Sequence, residues 1–335
     1  MFNKARLRFD DIFENRLDTD TIREYLIDLY NRGETALEIA AAATAMRDHM
    51  IPLNIEQSLK EKLIDNCGTG GDKSNSFNIS TTVSILLAAC GCSVAKHGNR
   101  SITSNSGSAD MLEALGVNLA LTSPKQIEML NQTGFVFMFA INHHPAMKHI
   151  MPIRKSIEHR TIFNILGPLS NPASVHKQLI GVFNKEYVPK IAEALTMLNT
   201  KKAMVVSSED GMDEISISDI TYCAFVDRGT VNEFILDPRE YGFDLYPKSD
   251  IEGGDAKQNA VITKGILDGT ITGAKRDIVL LNTAAALLVD GKVSSTEEGI
   301  SLARETIDSG AAIAKLMQIV KVSNDLIGQS VENNG

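Results

Sequence analysis

The sequence contains no tryptophan, and aromatic side chains make up only 5% of its 335 residues. Packing must therefore rest on aliphatic and alanine side chains within the 43% hydrophobic content. Its four cysteines, Cys67, Cys90, Cys92 and Cys223, show no C-x-x-C spacing of a zinc or redox site. They read as free thiols in a reducing compartment. No run approaches the ~20 apolar residues that a membrane helix needs. The opening stretch, MFNKARLRFDDIFENRLD, is charged and has no apolar core. No signal peptide and a cytoplasmic location are therefore expected. No Lys/Arg run offsets the net charge of -9, which argues against a nucleic-acid partner. A small phosphorylated substrate needs only a few cations and backbone N–H groups.

What is present begins with helices. Ile22, Tyr25, Leu26 and Leu29 form an amphipathic stripe, with Asp20 as the expected cap and Gly33 as the end. An Ala-rich helix over Thr35–Met50 follows, stopped by Pro52. From about Lys62 short apolar runs alternate with helical patterns. Strands are expected at Leu63–Cys67, Ser93–Lys96, Phe135–Ala140, Leu179–Phe183 and Ala203–Val206. Helices are expected on the stripe Val83, Leu86, Leu87, Cys90, at Ser108–Leu115, from Ser123-Pro124 to Gly134, and near Glu186–Leu198. This rhythm predicts an α/β fold with a mostly parallel sheet. Thr221–Asp227 and Val231–Asp237 around Arg228-Gly229 predict a hairpin. Asp255-x-x-Gln258 and Ser295-x-x-Glu298 read as capping boxes. The last residues, SVENNG, are expected to fray. The expected division is a helical domain over 1–62, with a returning helical segment near 152–172, and an α/β donor-binding domain over 63–335.

Four segments carry chemistry. Gly68-Thr69-Gly70-Gly71-Asp72 follows a predicted strand, and Asn78-Ile79-Ser80-Thr81 opens a helix. Glycine-rich backbone, a helix start and hydroxyls together suit a phosphate. No Gly-Lys-Ser/Thr follows, so this is not a Walker A loop. Lys96-His97-Gly98-Asn99-Arg100 ends the next strand, where open parallel sheets bind ligands. The Ser/Gly-rich run to Ser108, including Ser104, can wrap a phosphate. Asp213-Glu214 after Asp210-Gly211-Met212 is either a Mg²⁺ pair or a solvated acidic turn. Arg154, ahead of the Pro/Gly-rich path Arg160–Pro172, is either a carboxylate clamp or a surface salt bridge. His143, His144 and His149 lack H-E-x-x-H spacing, so a structural or substrate-lining role is preferred to zinc.

In this order the blocks GTGGD (68–72), NIST (78–81), KHGNR (96–100), SGSAD (106–110), RTIFNILGPLSNP (160–172) and GMDE (211–214) resemble the anthranilate phosphoribosyltransferase family. The resemblance runs from the first helices to the last. It implies transfer of the 5-phosphoribosyl group of phosphoribosyl pyrophosphate (PRPP) to the amine of anthranilate, a step of tryptophan biosynthesis. It also implies Mg²⁺, a homodimer, and room for an anthranilate synthase partner. Carried over, the donor site comprises Gly68, Gly71, Asp72, Ser76, Asn78, Ile79, Ser80, Thr81, Lys96, His97, Gly98, Asn99, Arg100, Ser104 and Ser108. Anthranilate would meet Gly68, Asn99, Arg154, His97, His144 and Pro168, and the metal Ser80, Asp213 and Glu214. No single catalytic base is implied; Lys96, Asp213 and Glu214 would act electrostatically. Lys73, Ser76 and Asn105 stand where the family often has Gly, Thr and Lys. A pyrimidine-nucleoside phosphorylase, a nucleic-acid-binding relative of the same fold, and a transferase for another aromatic amine are the competing readings.

Overall fold

The computed structural model describes residues 1–101 and 105–332, with side chains to 328. The amino-terminal part is helical: α1 (Phe2–Phe13), α2 (Thr19–Arg32), α3 (Ala36–Asp48) and the single turn α4 (Gln57–Lys60). The cap of α2 is Asp18, whose carboxylate accepts the Thr21 N–H at 2.9 Å. Asp20, expected as the cap, lies inside the first turn, where it favours the helix dipole instead. Gly33 ends α2 at φ +77°.

The chain then alternates: β1 (Leu63–Asp65), α5 (Ile79–Ala89), β2 (Ser93–Gly98), α6 (Ser108–Ala114), α7 (Ser123–Thr133), β3 (Phe135–Phe139), α8 (Ala140–His143), α9 (Met147–Lys155), β4 (Lys177–Gly181), α10 (Tyr187–Met197) and β5 (Lys202–Ser208). The hairpin β6 (Thr221–Asp227) and β7 (Thr230–Leu236) follows, then α11 (Ala256–Leu267), α12 (Ala274–Asp290), α13 (Thr296–Asp308) and α14 (Ala311–Glu332). The hairpin turns at Arg228 and Gly229, both at positive φ, as a two-residue turn matched to strand twist requires.

Among the described residues the sheet order is β3-β2-β1-β4-β5-β6-β7. β1 to β5 pair in parallel and the last two strands antiparallel. Successive residues alternate between cores, as the period of two demands. Leu179, Met204 and Val206 join the cluster under α5 and α12, while Ile180, Ala203 and Val205 join the cluster of α10 and the amino-terminal helices. Both faces are thus covered, which is why these strands are continuous apolar runs. The direction of winding reverses at β1, which pairs with β2 on one side and β4 on the other. That switch point opens a crevice at the carboxyl ends of the strands.

Several local expectations need correction. The helix α5 is buried on nearly every face rather than along one stripe, because α12 and α13 close over it. The α7 cap is Thr122, so Pro124 sits one position deeper. Asp255 and Gln258 close a full capping box. At Ser295 only half forms, because the Glu298 carboxylate binds the N–H and hydroxyl of Ser294. The helix α14 continues through Ser330 to Glu332, where fraying was expected, and residues 333–335 lie outside the described residues.

Candidate active site

The crevice is built by loops that follow β1, β2, β4 and β5. After β1, Gly70 and Gly71 take φ +68° and +73°, and Lys73 and Asn75 also lie in the left-handed region. The Thr69 N–H donates to the Gly181 carbonyl at 2.9 Å. The Gly70 N–H donates to Oδ2 of Asp213 at 2.6 Å. A Cβ on Gly68 would strike the Asp213 carboxylate, and one on Gly181 would coincide with its carbonyl oxygen. Close approach of three chain segments therefore demands glycine at both positions. Gly181 was not foreseen; nothing about a glycine at a strand end signals a loop arriving from residue 213.

The first turn of α5 abuts this loop. Asn78 makes no capping bond to its own helix. Its Oδ1 accepts from the Ser106 hydroxyl at 3.0 Å and from Nδ2 of Asn259 at 2.9 Å, while its Nδ2 donates to the Ser106 carbonyl. The N–H of Ser80 points at Glu214, and the buried Thr81 hydroxyl has no partner among the described residues. Free donors at a helix start suit an anion. The main chain after Glu214 is held by Asn282, which binds both the N–H and the carbonyl of Ile215 at 3.0 and 2.8 Å. Asn282 and Asn259 lie on later helices and were invisible to motif reading.

Lys96 is 1% exposed and stands among carboxylates. Behind it Asp65, ending β1, is fully buried and accepts from Nδ2 of Asn171 at 2.7 Å. Burial pushes Asp65 up to about 6, against the pull of Lys96 and of Asn171. In front, burial and the charge of Asp72 push Asp213 up to about 7. Burial and Asp213 raise Glu214 well above the carboxylate range, against Lys96. Crowded, half-buried carboxylates held together this way fit a divalent cation. Among the described residues no three His, Cys, Asp or Glu side chains form a full metal cage. Mg²⁺ needs none, since it keeps waters and takes substrate phosphates.

On the other flank the His97 ring binds the Gly167 carbonyl through Nδ1 at 3.0 Å and lies 5.2 Å from the His144 ring. Both Nε2 atoms are buried without partners among the described residues. Burial lowers His97 to about 3 and His144 to about 4, so both rings are neutral near pH 7. Pro168 is buried beside them, its carbonyl accepting from Gln178 at 2.6 Å. Arg154 lies 5.7 Å over the Phe163 ring and touches the Met151 sulfur. It forms no ion pair among the described residues, so the surface-salt-bridge alternative is not what the fold builds. Burial lowers its affinity for the proton.

Not every predicted residue converges. Asn99 is exposed at the mouth, its carbonyl accepting from Ala109. The Arg100 guanidinium is held by Asp110 and Glu113 at 2.6–2.9 Å. Gly98 packs against Phe137 and Ser108, which opens α6. Ser76 bridges to Glu252 and receives the Ser74 hydroxyl, and Ile79 is buried in the core under the loop. Ser104 lies outside the described residues. The three histidines of the zinc question part company. His143 binds the Ile51 carbonyl and His149 the Ile12 carbonyl, while His144 alone lies beside His97.

Residues 60–313 match the model of the glycosyl transferase family, a/b domain. An anthranilate phosphoribosyltransferase of Petrotoga mobilis is 44% identical over 94% of this chain and 90% of its own. The crystal structure of the Thermus thermophilus enzyme superposes with a TM-score of 0.90 at 37% identity, covering 97% of this chain and 96% of that one. The Saccharomyces cerevisiae enzyme, solved in complex with PRPP and Mg, gives 0.87 at 28% identity over 97% and 94%. These likenesses support the transferase reading and neither the phosphorylase nor the nucleic-acid alternative. The chain belongs to the anthranilate phosphoribosyltransferase family.

Proposed function

We propose that the crevice holds PRPP on its β1–β2 side and anthranilate on its α9 side. The reaction yields N-(5-phosphoribosyl)anthranilate and pyrophosphate. One observation carries the assignment of parts. The glycine loop, the buried Lys96 and the Asp213-Glu214 pair meet at one end of the sheet, and Arg154 lies on the flank with no anionic partner among the described residues.

In this reading the loop N–H groups, the start of α5 and Lys96 bind the diphosphate and neutralise charge as it leaves. Asp213 and Glu214, with the Ser80 hydroxyl, would hold Mg²⁺, which supplies further neutralisation of the pyrophosphate. Arg154 pairs with the anthranilate carboxylate. The neutral rings of His97 and His144, with Pro168, shape an apolar slot and take no proton near pH 7. The amine attacks ribose C1 with its own lone pair as the C1–O bond breaks, and its proton leaves afterwards. Orientation and electrostatics carry the rate, and no side chain acts as an indispensable base.

The smaller body comprises the helices before residue 62 with the returning segment near 152–172, which share one core with α10 and one face of β4 to β6. No helix among the described residues is long and apolar enough to cross a membrane. The decisive assay mixes protein, anthranilate, PRPP and Mg²⁺ and follows anthranilate fluorescence beside a metal-free control. Metal-dependent loss is expected. Undiminished fluorescence with PRPP bound would remove anthranilate as the acceptor.

A further inference from the structure

Arg160 opens the RTIFNILGPLSNP segment and received no role from the motif reading. Its guanidinium donates through Nη2 to the carbonyl of Gly71, in the donor loop 89 positions earlier in the chain. It also lies over Phe183, its Cζ 3.6 Å from the ring centroid, just beyond β4. No carboxylate pairs with it among the described residues. The preceding residue is anchored as well: the His159 ring stacks on Tyr30 of α2 at 3.8 Å and 14°. A half-buried cation is thus clamped between the helical side of the molecule and the glycine loop, and among the described residues it donates to a neutral backbone carbonyl rather than to a carboxylate.

That oxygen matters because of its place. Gly71 has φ +73° and Lys73 φ +61°, so this stretch is held in an uncommon conformation. Thr69 is tied down by Gly181 and Gly70 by Asp213. In a trans peptide the C=O and the next N–H point in opposite directions. Holding the Gly71 carbonyl toward Arg160 turns the Asp72 N–H to the other side, where an anion can take it. Asp72 is also the residue whose charge reaches Asp213 and Glu214.

We propose that Arg160 is a positioning residue for the donor: braced on Phe183, it sets the Gly71–Asp72 peptide and joins the donor loop to the segment that carries Arg154. The inference rests on the donor-site reading above. Its test uses Arg160→Ala, Arg160→Lys and Phe183→Leu in the full-length protein, with KM for PRPP, KM for anthranilate, kcat and thermal melting measured on each. Arg160→Ala should raise the PRPP KM about tenfold or more, the scale of a lost charge-assisted hydrogen bond, with kcat changed less. Lysine can donate to Gly71 but cannot lie flat on the ring, so it should restore only part. Phe183→Leu, which keeps the cation and loses its brace, should raise the PRPP KM severalfold and provides the answer if Arg160→Ala does not fold. A PRPP KM within twofold of the unaltered protein in Arg160→Ala, or in Phe183→Leu where that stands in, overturns the proposal. So does full recovery by lysine, which would make Arg160 a simple charge contact. An inactive unaltered protein would instead count against the transferase reading itself.

Discussion

The Gly70 N–H and the Asp213 carboxylate, 143 positions apart in the chain, meet at 2.6 Å. This bond joins the phosphate-type loop to the carboxylate pair before any substrate arrives. It also lets the loop geometry depend on whether Asp213 is charged, neutral or engaged by a cation.

Asp213→Asn keeps an acceptor for Gly70 but removes the charge. We expect kcat/KM to fall about 100-fold or more, the scale of losing one preorganised electrostatic group. Stability should move the other way. Asp213 is raised above its unfolded value to about 7, so its ionised form disfavours folding and that cost is complete above pH 7. In metal-free buffer at pH 8 the variant should melt at or above the temperature of the unaltered protein, with the advantage shrinking toward pH 4. A variant that is both unfolded and inactive at pH 8 would sink this account.

Arg154→Ala should separate the two substrates. The KM for anthranilate should rise about 10- to 100-fold, as for loss of a bidentate ionic bond, while the KM for PRPP stays within about twofold. Equal losses in both would place Arg154 outside the acceptor site.

Gly181→Ala tests the packing of the carboxylate loop. The added Cβ would occupy the position of the Asp213 carbonyl oxygen, and the backbone must shift. Overpacking of this kind costs about 1–3 kcal/mol, read as a lower melting temperature. The Mg²⁺ concentration for half-maximal activity should rise as well, and an unchanged metal requirement would show that the pair tolerates displacement.

The neutral imidazoles give a pH signature. His97 and His144 are depressed by burial to about 3 and about 4. Their contribution to stability is complete above the unfolded histidine pKa of about 6.5 and is lost as pH falls toward the folded values. Each contributes a decline of about 1 kcal/mol per pH unit between roughly pH 6 and 4. Denaturant titrations of His144→Gln across that range should show a shallower decline than the unaltered protein. Parallel slopes would mean that His144 is protonated in the folded state.

Lys73 occupies φ +61°, where an L side chain costs about 1–2 kcal/mol and glycine is at ease. Lys73→Gly should leave the melting temperature unchanged or slightly higher, after glycine's own entropic cost. Any rise in the PRPP KM would then report the Lys73 charge. A marked loss of stability would show that the Lys73 side chain holds the loop.

Much of this was written into the chain locally. Strand and helix alternation follows from runs such as Phe135–Phe139 and stripes such as Ile22, Leu26, Leu29, because periodicity of two or 3.6 is a nearest-neighbour property. Capping at Asp255, the Arg228-Gly229 turn and the clustering of GTGGD, NIST and KHGNR at element ends were legible for the same reason. Where the reading slipped, Asp18 and Asp20, two positions apart, offered the same capping chemistry, and at Ser295 the Glu298 carboxylate found the neighbouring Ser294 instead of closing the box.

The sequence by itself determined the element order, the chemistry of each loop and the family resemblance. The tertiary structure decided which loops meet. Asp65 behind Lys96, Gly181 under Asp213, Asn282 holding the chain after Glu214 and Arg160 on Gly71 are each joined across tens of residues. A contact of that span imposes no period and no fixed spacing on the chain. Only the strand order, with its switch at β1 and β4, brings such residues to the same end of the sheet.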